Sequence, residues 1–150
     1  MKNFILTLAG LALVFALSSC AQNMTYTVKL SAENEVVADG GAKPDAPDAT
    51  AEVTVTLDEG AKTISVDGTY SSLTGAATAA HIHGPASKTE NAGSVFTLTV
   101  TEGDTAGSGT VSLSASDITD AQITDLKDGK YYINIHTATH AAGEIRGQIE

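Results

Sequence analysis

Four histidines carry most of the chemical interest of this sequence, and they fall in two places. His81 and His83 flank Ile82 in Ala80-His81-Ile82-His83-Gly84-Pro85-Ala86. His136 ends the run Tyr131-Tyr132-Ile133-Asn134-Ile135-His136, and His140 follows in the next turn. A neutral imidazole offers one ring nitrogen to a metal ion, and an imidazole-only set favours copper or zinc. In an extended strand, residues two apart share a face about 6–7 Å apart, close enough for two rings to converge on one ion. Ile82 then takes the apolar face, with His81 and His83 opposite it. The second run divides likewise, with Tyr131, Ile133 and Ile135 on one face and Tyr132, Asn134 and His136 on the other. If the two strands are neighbours, His81, His83 and His136 meet outside the sheet, and His140 is available as a fourth ligand. Asn134, Glu144 and Arg146 are the polar groups expected around such a site. Arg146 is expected to pair with Glu144 or to orient an anion near the metal. The alternative is a surface cation contributing under about 1 kcal/mol. A competing role for His81, Asn134 and His136 is purely structural, as a hydrogen-bonded cluster that fixes strand pairing.

Other chemistries find little support. No nucleophile–histidine–acid triad stands out among the many Ser and Thr residues, and no Gly-rich phosphate loop opens a helix. No pair of carboxylates separates itself from the general acidity. No catalytic residue is assigned, and a binding role is favoured over an enzymatic one. The net charge of −10 and pI near 4.6 disfavour nucleic acid and anionic lipid headgroups as partners. The acidic stretch 38–49 lacks the Asp-x-Asp-x-Asp-Gly order of a calcium loop and is expected to be a long exposed loop.

The elements that must hold the histidines are short strands. Tyr26, Val28 and Leu30 alternate with polar residues, and Ala51, Val53, Val55 and Leu57 do the same. Glu59-Gly60 turns the second run back into Ile64–Tyr70, an antiparallel hairpin. Further strands are expected at 77–83, 95–101, 111–115, 131–137 and 144–149. One short helix interrupts them. Thr119-x-x-Gln122 has capping-box spacing, Ile118 and Ile123 are placed as a hydrophobic staple, and Gly129 is placed to end the helix. The result is an all-β fold of about eight antiparallel strands, a Greek-key sandwich or barrel.

Residues 1–19 stand apart. Lys2 precedes an apolar run from Phe4 to Leu17, too short for a comfortable bilayer span, which is the layout of a secretory signal. Leu17-Ser18-Ser19-Cys20 resembles the bacterial lipoprotein box, where cleavage precedes a cysteine that carries diacylglycerol. Cys20 is the single cysteine of the chain. These features imply a signal peptide over 1–19, a lipidated tether over 20–25 and a domain over 26–150. The location implied is the bacterial cell envelope, with attachment to a membrane through the lipid. Ala21 in place of Asp after the cysteine is compatible with the outer membrane, on its periplasmic or surface side.

Beyond the tether the chain resembles the CHRD domain, the module repeated in the animal protein chordin and found singly in bacterial secreted proteins. The resemblance rests on Asn34-Glu35-Val36, on Ala80 to Ala86, and on Leu126-x-x-Gly129-x-Tyr131 to Thr137 followed by Gly143-Glu144-Ile145-Arg146-Gly147-Gln148. These motifs occur in the family's order. Ala141 and Val37 depart from it, standing where members usually carry proline. The resemblance implies an extracellular binding module whose protein partner is unidentified; in chordin the whole protein sequesters a growth factor. A His-x-His strand on a Greek-key barrel with a nearby arginine is also similar to the copper site of copper–zinc superoxide dismutases. That likeness would imply a copper-only, dismutase-like enzyme as a minor alternative. Four histidines fall short of the six a copper–zinc pair needs, which excludes the zinc subsite.

Overall fold

A computed structural model describes residues 23–37 and 41–150; the signal segment and Cys20 lie outside the described residues. Eight strands run through them: β1 (Asn23–Ser31), β2 (Thr50–Asp58), β3 (Thr63–Ser71), β4 (Ala77–His83), β5 (Ser94–Glu102), β6 (Gly109–Ala115), β7 (Tyr131–Thr137) and β8 (Ile145–Ile149). They close into an antiparallel barrel in the order β1-β2-β3-β6-β5-β4-β7-β8. Closure removes the unpaired edges that an open sheet would expose. β1 begins at Asn23, opposite Asp58, so residues 23–25 belong to the sheet and not to a tether.

Alternation drives the packing. In β2, Val53, Val55 and Leu57 are fully buried while Glu52 and Thr54 face solvent. Ile82, Ile133, Ile135, Ile145 and Ile149 complete the interior on the histidine side, each at 0% exposure. Among the described residues a single 3-10 turn (Ala32–Asn34) follows β1, and one α-helix, α1 (Asp120–Lys127), follows β6. Its capping box is formed, with Gln122 N–H donating to the Thr119 hydroxyl and the Gln122 side chain accepting from the Thr119 N–H. Ile118 and Ile123 are both buried, as a staple requires, and Gly129 ends the helix at φ +69°.

The pairing that matters most is β4 with β7. Ile82 stands opposite Ile133 and His81 opposite Asn134, which turns both polar rows outward together. β8 lies on the other side of β7, with Arg146 opposite Asn134 and Gln148 opposite Tyr132. This outward face is not solvated as a half-buried sheet would be. Tyr132 and Asn134 are only 2% and 3% exposed. Two segments outside the strands cover them: 33–37, which ends the 3-10 turn after β1, and the loop 84–93 between β4 and β5. Asn91 of that loop ties them together by donating to the Val36 carbonyl at 2.8 Å.

The loop 41–49 is exposed along most of its length, yet Ala46 and Ala49 sink into the core at 5% and 2% exposure. Small apolar residues let an otherwise polar connection seal the barrel end.

Candidate metal centre

His81 and His83 project outward from β4, and His136 projects outward from the neighbouring β7. Among the described residues these three form the one such group: a ring nitrogen from each lies within 4.8 Å of the other two. The ring centroids of His81 are 5.5 Å from His83 and 5.1 Å from His136. All three are half-buried.

Backbone carbonyls set the tautomers. A carbonyl oxygen only accepts, so the imidazole nitrogen facing it carries the proton. His83 Nδ1 donates to the Ala92 carbonyl at 3.0 Å, and His136 Nδ1 donates to the Ala141 carbonyl at 3.1 Å. In the neutral rings both Nε2 atoms are left with lone pairs. His136 Nε2 faces His81 Nδ1 at 3.1 Å. His83 Nε2 is buried with no hydrogen-bond partner. Carbonyl-anchored imidazoles with free lone pairs that converge are the arrangement that orients metal ligands. The three rings could therefore hold one metal ion, with the Nε2 lone pairs of His83 and His136 among the nitrogens offered to it.

Burial also favours the neutral form of His83 and of His136. It lowers the His83 pKa below the usual 6.5, against the raising effect of the Ala92 carbonyl; His81 and Arg146 lower it further. Burial likewise lowers the His136 pKa, opposed by the Ala141 carbonyl, with His81 and His83 adding to the depression.

The remaining expected residues take different places. His140 stands outside the three-histidine group and contributes its backbone. Its carbonyl accepts from Gly143 at 3.0 Å, and its N–H donates to the Thr137 hydroxyl at 3.2 Å. Asn134 donates to Glu35 at 2.6 Å. Glu144 does not pair with Arg146. It lies just before β8 and is fully buried, and its carboxylate accepts from the Thr74 N–H, the Thr74 hydroxyl and the Thr137 hydroxyl at 2.6–2.7 Å. Three donors satisfy it without a cation, so it fastens the β3–β4 turn to the β7–β8 hairpin.

Nor is Arg146 a surface cation: it is 1% exposed. It donates to the Asn91 side chain and the Ser87 carbonyl, each at 3.0 Å. Its guanidinium carbon sits 3.5 Å above the Tyr132 ring, and the Tyr132 ring stacks on His83 with centroids 5.0 Å apart and planes within 7°.

Tyr132, Glu35 and the carbonyls of Ala92 and Ala141 received no role from the sequence. The carbonyls carry no residue signal at all. Glu35 stood inside a recognised motif, but nothing in its neighbours marks it as buried. It is 5% exposed, and burial pushes its pKa up to about 7 against the opposing effects of Arg146 and Asn134.

No curated protein and no solved structure matches the chain. The family model for the CHRD domain matches residues 26–149, which takes in the eight-stranded barrel, the histidine group and the segments that cover it. By that match the chain belongs to the CHRD domain family.

Proposed function

We propose that the barrel is a metal-binding module that holds one copper or zinc ion through His81, His83 and His136, and that the chain is exported and anchored to a membrane through lipid on Cys20. The observation that carries the metal assignment is His83 Nε2, a buried lone pair with no protein partner. Leaving such an atom unsatisfied costs about 1–3 kcal/mol, a cost that a metal–nitrogen bond removes. His136 Nε2, left with a lone pair by the Ala141 carbonyl, belongs to the same group, and the His81 ring lies against it. The lipid anchor is supported by the Leu17-Ser18-Ser19-Cys20 box at the end of an apolar segment.

Metal analysis of the purified protein after one equivalent of copper or zinc tests the first part. One ion per chain is expected, with loss of binding in the His81→Ala/His83→Ala double variant. Equal retention by that variant would rule the assignment out. The 3.1 Å contact between His81 and His136 favours one competing role, a strand-to-strand fastening in a protein-interaction domain. That role entails no stoichiometric metal in the wild-type protein.

A further inference from the structure

Arg146 is a buried cation that makes no ion-pair contact, Glu35 being the acid that acts on it from a distance. The ion pairs among the described residues all belong to lysines. Its bonds go to neutral groups: the Asn91 amide oxygen, the Ser87 carbonyl and, at 3.5 Å, the Gln148 amide oxygen. Its face lies on Tyr132. Holding a charge away from water without a contacting counter-charge is costly. A neutral residue of similar size would fill the space between Tyr132 and the loop 84–93 without that cost. The charge is therefore the feature to explain, and its position gives the explanation. Arg146, Tyr132 and His83 form one continuous stack that ends at the histidine group.

We propose that Arg146, acting through Tyr132, is the residue that selects the oxidation state of the bound metal, favouring copper in its monovalent state over the divalent state. This rests on the metal assignment above. The three ligands are neutral imidazoles, and no carboxylate belongs to the group. Bound monovalent copper therefore leaves one positive charge at the site and divalent copper leaves two. A fixed cation opposes the second more strongly than the first. At a separation on the order of 10 Å inside a protein, one extra unit of like charge is disfavoured by roughly tenfold. The stack does a second thing: a flat contact on both faces of Tyr132 holds the His83 ring plane, and with it the direction of Nε2. Arg146 and Tyr132 are positioning residues on this account and do not ligate the ion.

The test measures two affinities of the full-length protein. Cu(I) is titrated against a chromogenic Cu(I) chelator and Cu(II) against a chromogenic Cu(II) chelator, at pH 8. Arg146→Gln is expected to lower the ratio of Cu(I) to Cu(II) affinity about tenfold, equivalent to about 59 mV in the reduction potential. Arg146→Lys, which keeps the charge, is expected to recover most of it. If both affinities weaken in Arg146→Gln and their ratio stays at the wild-type value, Arg146 is a packing residue and the proposal fails. Where Arg146→Gln does not fold, Glu35→Gln takes its place. Glu35 is the acid whose charge bears on Arg146, so its neutralisation must move the ratio the other way, toward Cu(I). An unchanged or lowered ratio there also overturns the proposal. Failure of the wild-type protein to bind copper in either state overturns this proposal, and failure to bind zinc as well sinks the metal assignment itself, a result distinct from an unchanged ratio.

Discussion

Protons compete with any ion held by His83 and His136, because each must offer a lone pair on Nε2. Burial lowers both pKa values below 6.5. The neutral ligand form therefore persists into mildly acidic solution. Metal retention, followed by equilibrium dialysis from pH 8 downward, is expected to stay level to about pH 6.5 and to fall only below it. Loss already complete at pH 7 would contradict the burial argument. The metal-free barrel should show the same groups as stability terms of opposite sign. A histidine with a depressed pKa binds fewer protons folded than unfolded, so it lowers stability as pH falls through 6.5. Glu35, raised from 4.5 to about 7, binds more protons folded than unfolded. Its contribution is fully present below pH 4.5 and is lost as pH rises through about 7. Glu35→Gln removes that contribution and leaves the histidines unopposed. Urea midpoints of the metal-free variant are expected to drop more steeply between pH 7 and pH 5 than those of the wild type. A parallel decline in the two proteins would show that Glu35 is not buried as an acid.

At the scale of the element, the β7–β8 hairpin decides where the His136 ring points. Gly143 adopts φ +134°, and a Cβ there would stand 2.3 Å from the Asn134 side-chain nitrogen. Both the backbone conformation and the contact exclude a side chain. Gly143→Ala is expected to destabilise the barrel by about 2–4 kcal/mol in denaturant unfolding and to displace the Ala141 carbonyl from His136. A change under 0.5 kcal/mol, about the size of an ordinary surface substitution, would refute it. Thr119→Ala, by contrast, removes one cap and should cost about 1 kcal/mol without touching metal binding. The hairpin also shows what could be read in advance. Ile82 and Ile133 pointed inward because period-2 alternation is local, and the capping box around Thr119 is likewise local. The outward row of β7 was harder. Tyr132 and Asn134 follow the same alternation as solvated residues, but the segments 33–37 and 84–93 that bury them have no periodicity to betray their course. Arg146 looked like a surface cation for that reason. Glu144 looked like its partner because alternation was extended one residue past the true start of β8 at Ile145. The Thr74 donors that claim Glu144 lie 70 residues away in sequence.

The whole molecule is a strongly acidic barrel that is proposed to sit at a membrane. The proposed cleavage before Cys20 would remove Lys2 from the eight basic residues and leave seven against 18 acidic ones, a net charge of −11. Such a surface is repelled by anionic headgroups, so charge does not hold the domain to a bilayer. The proposed attachment would come from acyl chains at Cys20, each buried CH₂ contributing about 0.8 kcal/mol. Such an attachment would be close. β1 starts at Asn23, and the chain spans at most about 3.6 Å per residue, so a lipid on Cys20 would hold the start of the barrel within about 11 Å of it. Membrane fractions of cells making the protein are expected to retain it through washing with 1 M salt and to release it to detergent. Cys20→Ser is expected to move it to the soluble fraction with its barrel and its metal affinity intact. Salt release of the wild type, or a Cys20→Ser protein that stays with the membrane, would show that the surface and not the lipid makes the contact.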